Sequence, residues 1–182
     1  VFISTGDVVT TGPVLGDTPG TFVSTGNGTP GDADLNTLSP PTFDASILQF
    51  DFIPTGDTVR FKYVFSSEEY NEYVNSGVSD VFGFFVTGPN PSGPAYASTN
   101  VALVPGTATP VSIDNVNNGK AGGCAVGPCT NCAYYNDNMC LGNNFCFDGY
   151  TVVMEIILPV YACSTYTMKL AIADVGDGIF DS

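Results

Sequence analysis

Carboxylates crowd one short stretch of this chain. In SSEEYNEYVNSGVSDVFGFF, residues 66–85, Glu68, Glu69, Glu72 and Asp80 precede a run of large apolar side chains that must become core. A second acidic group, Asp174, Asp177 and Asp181, lies far along the chain in ADVGDGIFDS. Carboxylates gathered without counter-charge repel one another and raise the pKa of some members, unless a cation supplies the missing charge. Calcium suits such a set, because it takes about six to eight oxygen ligands in flexible geometry and accepts backbone carbonyls among them. Gly176 and Gly178 permit a tight loop that turns oxygens inward. The spacing D-x-x-D-G-x-x-D departs from the EF-hand loop, whose ligands alternate and end in glutamate. Glu68, Glu69, Asp80, Asp174, Asp177 and Asp181 are therefore candidate calcium ligands. Simpler local roles compete with this one. Ser66-Ser67-Glu68-Glu69 fits a capping box in which Glu69 reaches back to an amide, and Asp-Gly pairs are ordinary turn residues.

Other chemistries are trimmed by composition. Without histidine there is neither a Ser-His-Asp nor a Cys-His apparatus. A carboxylate-pair glycosidase needs only two acids at a set separation, which leaves Glu68 or Glu69 with Asp80 or Asp174 as an alternative. Lacking tryptophan, such an enzyme would stack sugar on Tyr70, Tyr73, Tyr134 or Tyr135. The preferred expectation is a protein without catalytic residues. Gly26-Asn27-Gly28-Thr29-Pro30-Gly31 matches G-x-G-x-x-G, but it opens no helical pattern and Pro30 removes an amide that should face phosphate. Asn27-Gly28-Thr29 is an N-glycosylation acceptor only in a host that modifies it. A formal charge of −14 argues against nucleic acid, which needs clustered Lys and Arg, and favours a cationic partner.

Six cysteines form an even set: Cys124, Cys129, Cys132, Cys140 and Cys146 in one loop, and Cys163 beyond it. They read as a disulfide framework made in an oxidising compartment, with Cys163 stapling the loop to a later strand. A zinc site on the four thiolates of C-x4-C-x2-C-x7-C is the rival, although the spacing is irregular.

The elements that must position these groups are strands. At 182 residues the chain is expected to form one domain, with a cysteine-rich insertion at about 118–148. Its 21 glycines and 13 prolines punctuate short apolar runs, the pattern of an all-β antiparallel sandwich, jelly-roll-like in outline. No apolar run approaches the ~18 residues of a membrane helix. The first residues, VFIST, read as a strand. In ILQFDFIPTGDTVRFKYVF two alternating runs flank Pro54-Thr55-Gly56-Asp57, which predicts a hairpin with Leu48, Phe50 and Phe52 on the same face as Val59, Phe61 and Tyr63. That register pairs Asp51 with Arg60 across the strands. Further strands are expected at 81–88, 150–160 and 165–175. In the last, Tyr166, Met168, Leu170 and Ile172 point inward and Lys169 outward.

Several segments together carry a resemblance. In order through nearly the whole chain, ISTGDV, GTPGDADL, TFDASILQFDFIPTGDTVRFKYVFSSEEYNEYV, SDVFGFFVTGPN, NVALVPGTATPVSIDNVNNG, FDGYT and CSTYTMKLAIADVGDGIFDS resemble the choice-of-anchor L domain of bacterial surface and secreted proteins. The resemblance implies an extracellular module of a larger protein attached by one of several anchoring routes, with no enzyme activity. It assigns no functional residue. The family pattern usually has sequence before the first STGD strand and a further apolar strand after GIFDS. Missing edge strands would leave ladder groups able to pair with another chain, so strand exchange between copies, beside Ile172 or Phe2, is the second expectation. Adhesion to surface proteins or glycans is the first.

Overall fold

The computed structural model describes residues 1–6, 24–120, 127–143, 145–180 and 182. Asp181, Cys124 and most of the strand fragments expected before residue 24 lie outside them. Among the described residues nine strands are arranged as an antiparallel sandwich, as expected. They are β1 (Thr42–Phe52), β2 (Thr58–Tyr63), β3 (Ser66–Ser67), β4 (Ser79–Gly88), β5 (Tyr96–Asn100), β6 (Tyr135–Asp137), β7 (Gly149–Thr151), β8 (Met154–Pro159) and β9 (Tyr166–Val175). One sheet has the order β1-β9-β4-β5; β2-β8 and β3-β7-β6 form two smaller ones. Among the described residues no helix is long and apolar enough to cross a membrane.

Alternation in sequence decides which face each strand buries. In β8, Met154, Ile156 and Leu158 are buried while Glu155, Ile157 and Pro159 are exposed. Tyr166, Met168 and Ile172 of β9 enter the same core as Phe82, Phe84 and Val86 of β4, with Leu170 packed at its margin. The opposite faces of β4 and β9 are also covered: Val81, Phe85, Ala171, Ala173 and Val175 pack with Leu35 from a 3-10 turn at Leu35–Thr37. Being buried on both sides explains why β4 reads VFGFFV without alternation.

The expected hairpin is not formed. β1 pairs with β9, placing Asp51 opposite Thr167, and β2 pairs with β8, placing Arg60 opposite Ile157. Asp51 instead accepts a hydrogen bond from Thr167 Oγ1 at 2.7 Å, and Arg60 meets Glu155 at 3.6 Å. The Asp51–Arg60 ion pair is therefore absent. Pro54-Thr55-Gly56-Asp57 carries the chain from one sheet to the other, so the two alternating runs face each other across the core. Their shared apolar face survives only in part: Phe52, Val59, Phe61 and Tyr63 pack on the one core, while Phe50 is exposed. Alternation reports which face is buried and says nothing of which strand lies alongside.

Three other expectations change. Residues 1–5 form no strand. The 150–160 run splits into β7 and β8 around Val152 and Val153. Lys169 does leave the main core, yet its side chain is only 13% exposed, because Asp32 and Asp34 from the segment leading into the 3-10 turn close over it at 2.6 and 2.8 Å.

The cysteine-rich region is woven into the fold. β6 lies against β7, Tyr135 and Cys146 are buried, and a single helical turn at Asn138–Leu141 is capped by Asp137, whose Oδ1 accepts from the Cys140 amide at 3.2 Å. Cys129 and Cys132 form a disulfide, and Cys140 is disulfide-bonded too, which removes thiolates a zinc site would need. Cys163 does not staple the loop: it is an exposed thiol at the turn between β8 and β9.

Candidate functional site

The apolar ladder between β4 and β9 ends in two acids. Val86 stands opposite Met168, Phe84 opposite Leu170, Phe82 opposite Ile172, and the next inward pair is Asp80 opposite Asp174. Both aspartates are buried, at 0% and 1% exposure. Like charges directly opposite on neighbouring strands destabilise a sheet, so this pair needs compensation.

A compact turn after β3 brings the glutamates to the same end. Ser67 organises it: its hydroxyl donates to Asp80 Oδ2 and accepts the Glu69 amide at 2.9 Å. Residues 68–75 then form successive turns in which the Tyr73 amide bonds back to the Glu69 carbonyl. The expected capping box is not made, because the Glu69 carboxyl reaches no amide. Glu69 is fully buried, and neither of its carboxyl oxygens has a hydrogen-bond partner. Burial, and then the charges of Asp177, Asp174 and Asp114, push its pKa up to about 9. Asp44 shows the contrast. It is equally withdrawn, but it accepts the Asn27 amide at 2.9 Å and the Thr29 hydroxyl at 3.1 Å.

The chain's distant acids are thus drawn to one end of the sandwich. Glu68, Glu69, Asp80 and Asp174 are buried there, Asp177 is half-buried in the loop that follows β9, and Glu72 faces solvent. Asp181 lies outside the described residues. Among the described residues no three acids or cysteines stand close enough to form a ready metal cage. The acids act on one another through their fields without sharing a common centre.

Two participants escaped the sequence reading. Ser67 had no role there, since the capping-box pattern assigns the cap to Ser66. Asp114 sits in a loop whose approach depends on tertiary packing: its Oδ1 accepts the Asn75 amide at 2.6 Å, tying that loop to the glutamate turn. Tyr70 is core, its hydroxyl donating to the Val116 carbonyl at 2.7 Å, and burial raises its pKa well above the usual phenol value.

Gly176 places the terminal loop. It has φ of +90°, and a Cβ there would lie 2.7 Å from the Gly77 carbonyl oxygen. Substituting Gly176→Ala should cost about 1–3 kcal/mol in chemical denaturation, from backbone strain and collision together.

A second feature is apolar. A cleft of about 360 Å³ opens between the sheets beside Phe2, Phe50, Phe61, Tyr63 and Ile172. Among the described residues no aspartate or glutamate lines it. The glycosidase reading therefore loses its geometry: the candidate acids are buried rather than set around an open cleft, and Tyr70 and Tyr135 are buried in the core.

Fold and site together define a disulfide-containing antiparallel sandwich module with a group of buried acids at one end. Over residues 1–182 the chain matches the choice-of-anchor L domain, and it belongs to that family, whose members are modules of bacterial surface or secreted proteins. No curated protein and no solved structure shows significant similarity to it.

Proposed function

We propose that this chain is a non-enzymatic, adhesin-like extracellular module whose acidic end is closed by calcium. Glu69 carries the reading. A fully buried carboxyl with two unbonded oxygens, beside Asp174 and Asp177, is costly as an anion and gives little as an acid. A divalent ion removes that cost by supplying charge and oxygen coordination at once. Three preassembled carboxylates are not required, since calcium completes its shell with carbonyls and water. Glu69 with some of Glu68, Asp80, Asp174, Asp177 and Asp181 would hold it, fixing the turn after β3 to the loop after β9. Such locking suits a module that presents loops to surface proteins or glycans. The test is thermal: calcium should raise the melting temperature and chelator lower it, and a melting temperature indifferent to both removes the site.

The apolar cleft favours a second reading, assembly by exchange of a strand between copies. Phe2 and Ile172 border it, Val1 and Phe2 are exposed, and an apolar strand laid between the sheets would bury them. Light scattering should then show association that weakens when Phe2 is replaced by Ser. A stable monomer at high concentration overturns it.

A further inference from the structure

Lys169 places Nζ 2.7 and 2.6 Å from the two carboxyl oxygens of Asp32, and 2.8 Å from Asp34 Oδ2. With both oxygens that near, Nζ lies edge-on to the Asp32 carboxyl, about 3 Å from its carbon, and addition needs the amine to shift from that edge onto the carbonyl face. Asp32 Oδ1 also accepts the backbone amides of Asp34 at 3.0 Å and Leu35 at 3.1 Å. These bonds cap the 3-10 turn and hold the carboxyl still. They also aim two N–H dipoles at the oxygen on which charge would grow during addition to its carbon. The Lys169 and Asp32 side chains are 13% and 10% exposed, and the Phe85 ring centre stands 5.5 Å from Nζ, so water has little access.

We propose that Lys169 and Asp32 condense to an intramolecular isopeptide bond, with Asp34 relaying the proton. The ammonium passes one proton to Asp32 Oδ2, and the neutral amine adds to Cγ. The C–N bond forms, and negative charge collects on Oδ1 between the two amides. The surplus proton on nitrogen moves to Asp34 and on to the departing Oδ2 hydroxyl, which leaves as water while the Cγ–Oδ1 double bond re-forms. Asp34 ends as the carboxylate it began as. One ammonium and one carboxylate become one amide and one water, with no oxidant or cofactor consumed.

The resting pair is ionic. Burial draws the Lys169 pKa down, but hydrogen bonds and charge from both aspartates outweigh it and leave it raised. Condensation is therefore a slow, single maturation event. Holding the two groups in contact raises their effective concentration far above that of free partners, which offsets the equilibrium that opposes amide formation in water. The bond would join the approach to β1 with β9 across 137 positions of sequence, a covalent tie across the sandwich.

Mass spectrometry of the reduced, denatured full chain tests this. The wild type should be lighter than its sequence by one water. Trypsin, whose sites here are Arg60, Lys62, Lys120 and Lys169, should leave residues 1–60 joined to 121–182, with no cut at Lys169. Lys169→Arg should show the full mass, and Asp34→Asn should form the bond at least about tenfold more slowly, the loss expected when a proton relay is removed. Wild type at full sequence mass, releasing the peptide 121–169, overturns the proposal. A branched product formed as fast in Asp34→Asn overturns the relay.

Discussion

In the presence of chelator, the melting temperature falls as pH rises from about 5 to about 8, and millimolar calcium reverses the slope. The sign follows from Glu69. Its folded pKa of about 9 lies above the ordinary glutamate value of 4.5. Between those limits the folded chain holds a proton that the unfolded chain has released, so stability is full below the lower value and is lost as pH climbs toward the upper one. Each pH unit across the window costs at most about 1.4 kcal/mol, or about 3–6 °C for a chain of this size. Calcium bound there would need the carboxylate and expel the proton, so its affinity should grow with pH. At a hundredfold excess over its dissociation constant, it should add about 2.7 kcal/mol. Glu69→Gln keeps the shape of the protonated side chain. It should flatten the slope in chelator, match or exceed the wild type there near pH 8, and respond to calcium weakly or not at all. Differential scanning calorimetry at three pH values, with and without the ion, reads all of this.

Measured against wild type whose Lys169 is still uncondensed, Lys169→Met should lose about 3–5 kcal/mol, because it leaves Asp32 and Asp34 facing each other without the cation that both contact. The loss reaches beyond the pair. Asp32 caps the 3-10 turn, and Leu35 on that turn covers the outer faces of β4 and β9. Adding Asp32→Asn and Asp34→Asn to the methionine variant should recover part of the loss, since asparagine keeps the oxygen that accepts the Asp34 and Leu35 amides and removes the repulsion. Urea unfolding of the three proteins measures it. Equal stability of Lys169→Met and wild type would show the contact to be worth no more than a surface pair.

What the sequence disclosed was whatever period-2 alternation encodes. The inward residues of β9, the shared face of Phe52, Phe61 and Tyr63, and the all-β class follow from side chains that must leave water. Alternation is silent about neighbours. A proline-glycine turn between two alternating runs serves a hairpin or a crossing between sheets equally well, which is why the Asp51–Arg60 pair was expected and is not made. Convergence of Glu69 with Asp174 and Asp177 was legible because uncompensated charge beside apolar strands demands a common explanation. The roles of Ser67, Asp114 and the Lys169 cluster were not, since each depends on contacts between segments far apart in the chain. Cysteine spacing marked a disulfide region correctly but could not select partners, and Cys163 stays exposed.

On the proposed reading, calcium replaces a proton on Glu69. Calcium titration calorimetry, repeated near neutral pH in two buffers of different ionisation enthalpy, measures both events at once. Saturable binding should release about one proton per ion, and that proton should be lost in Glu69→Gln. Absence of binding, or binding with no proton released and undiminished in Glu69→Gln, would contradict that reading.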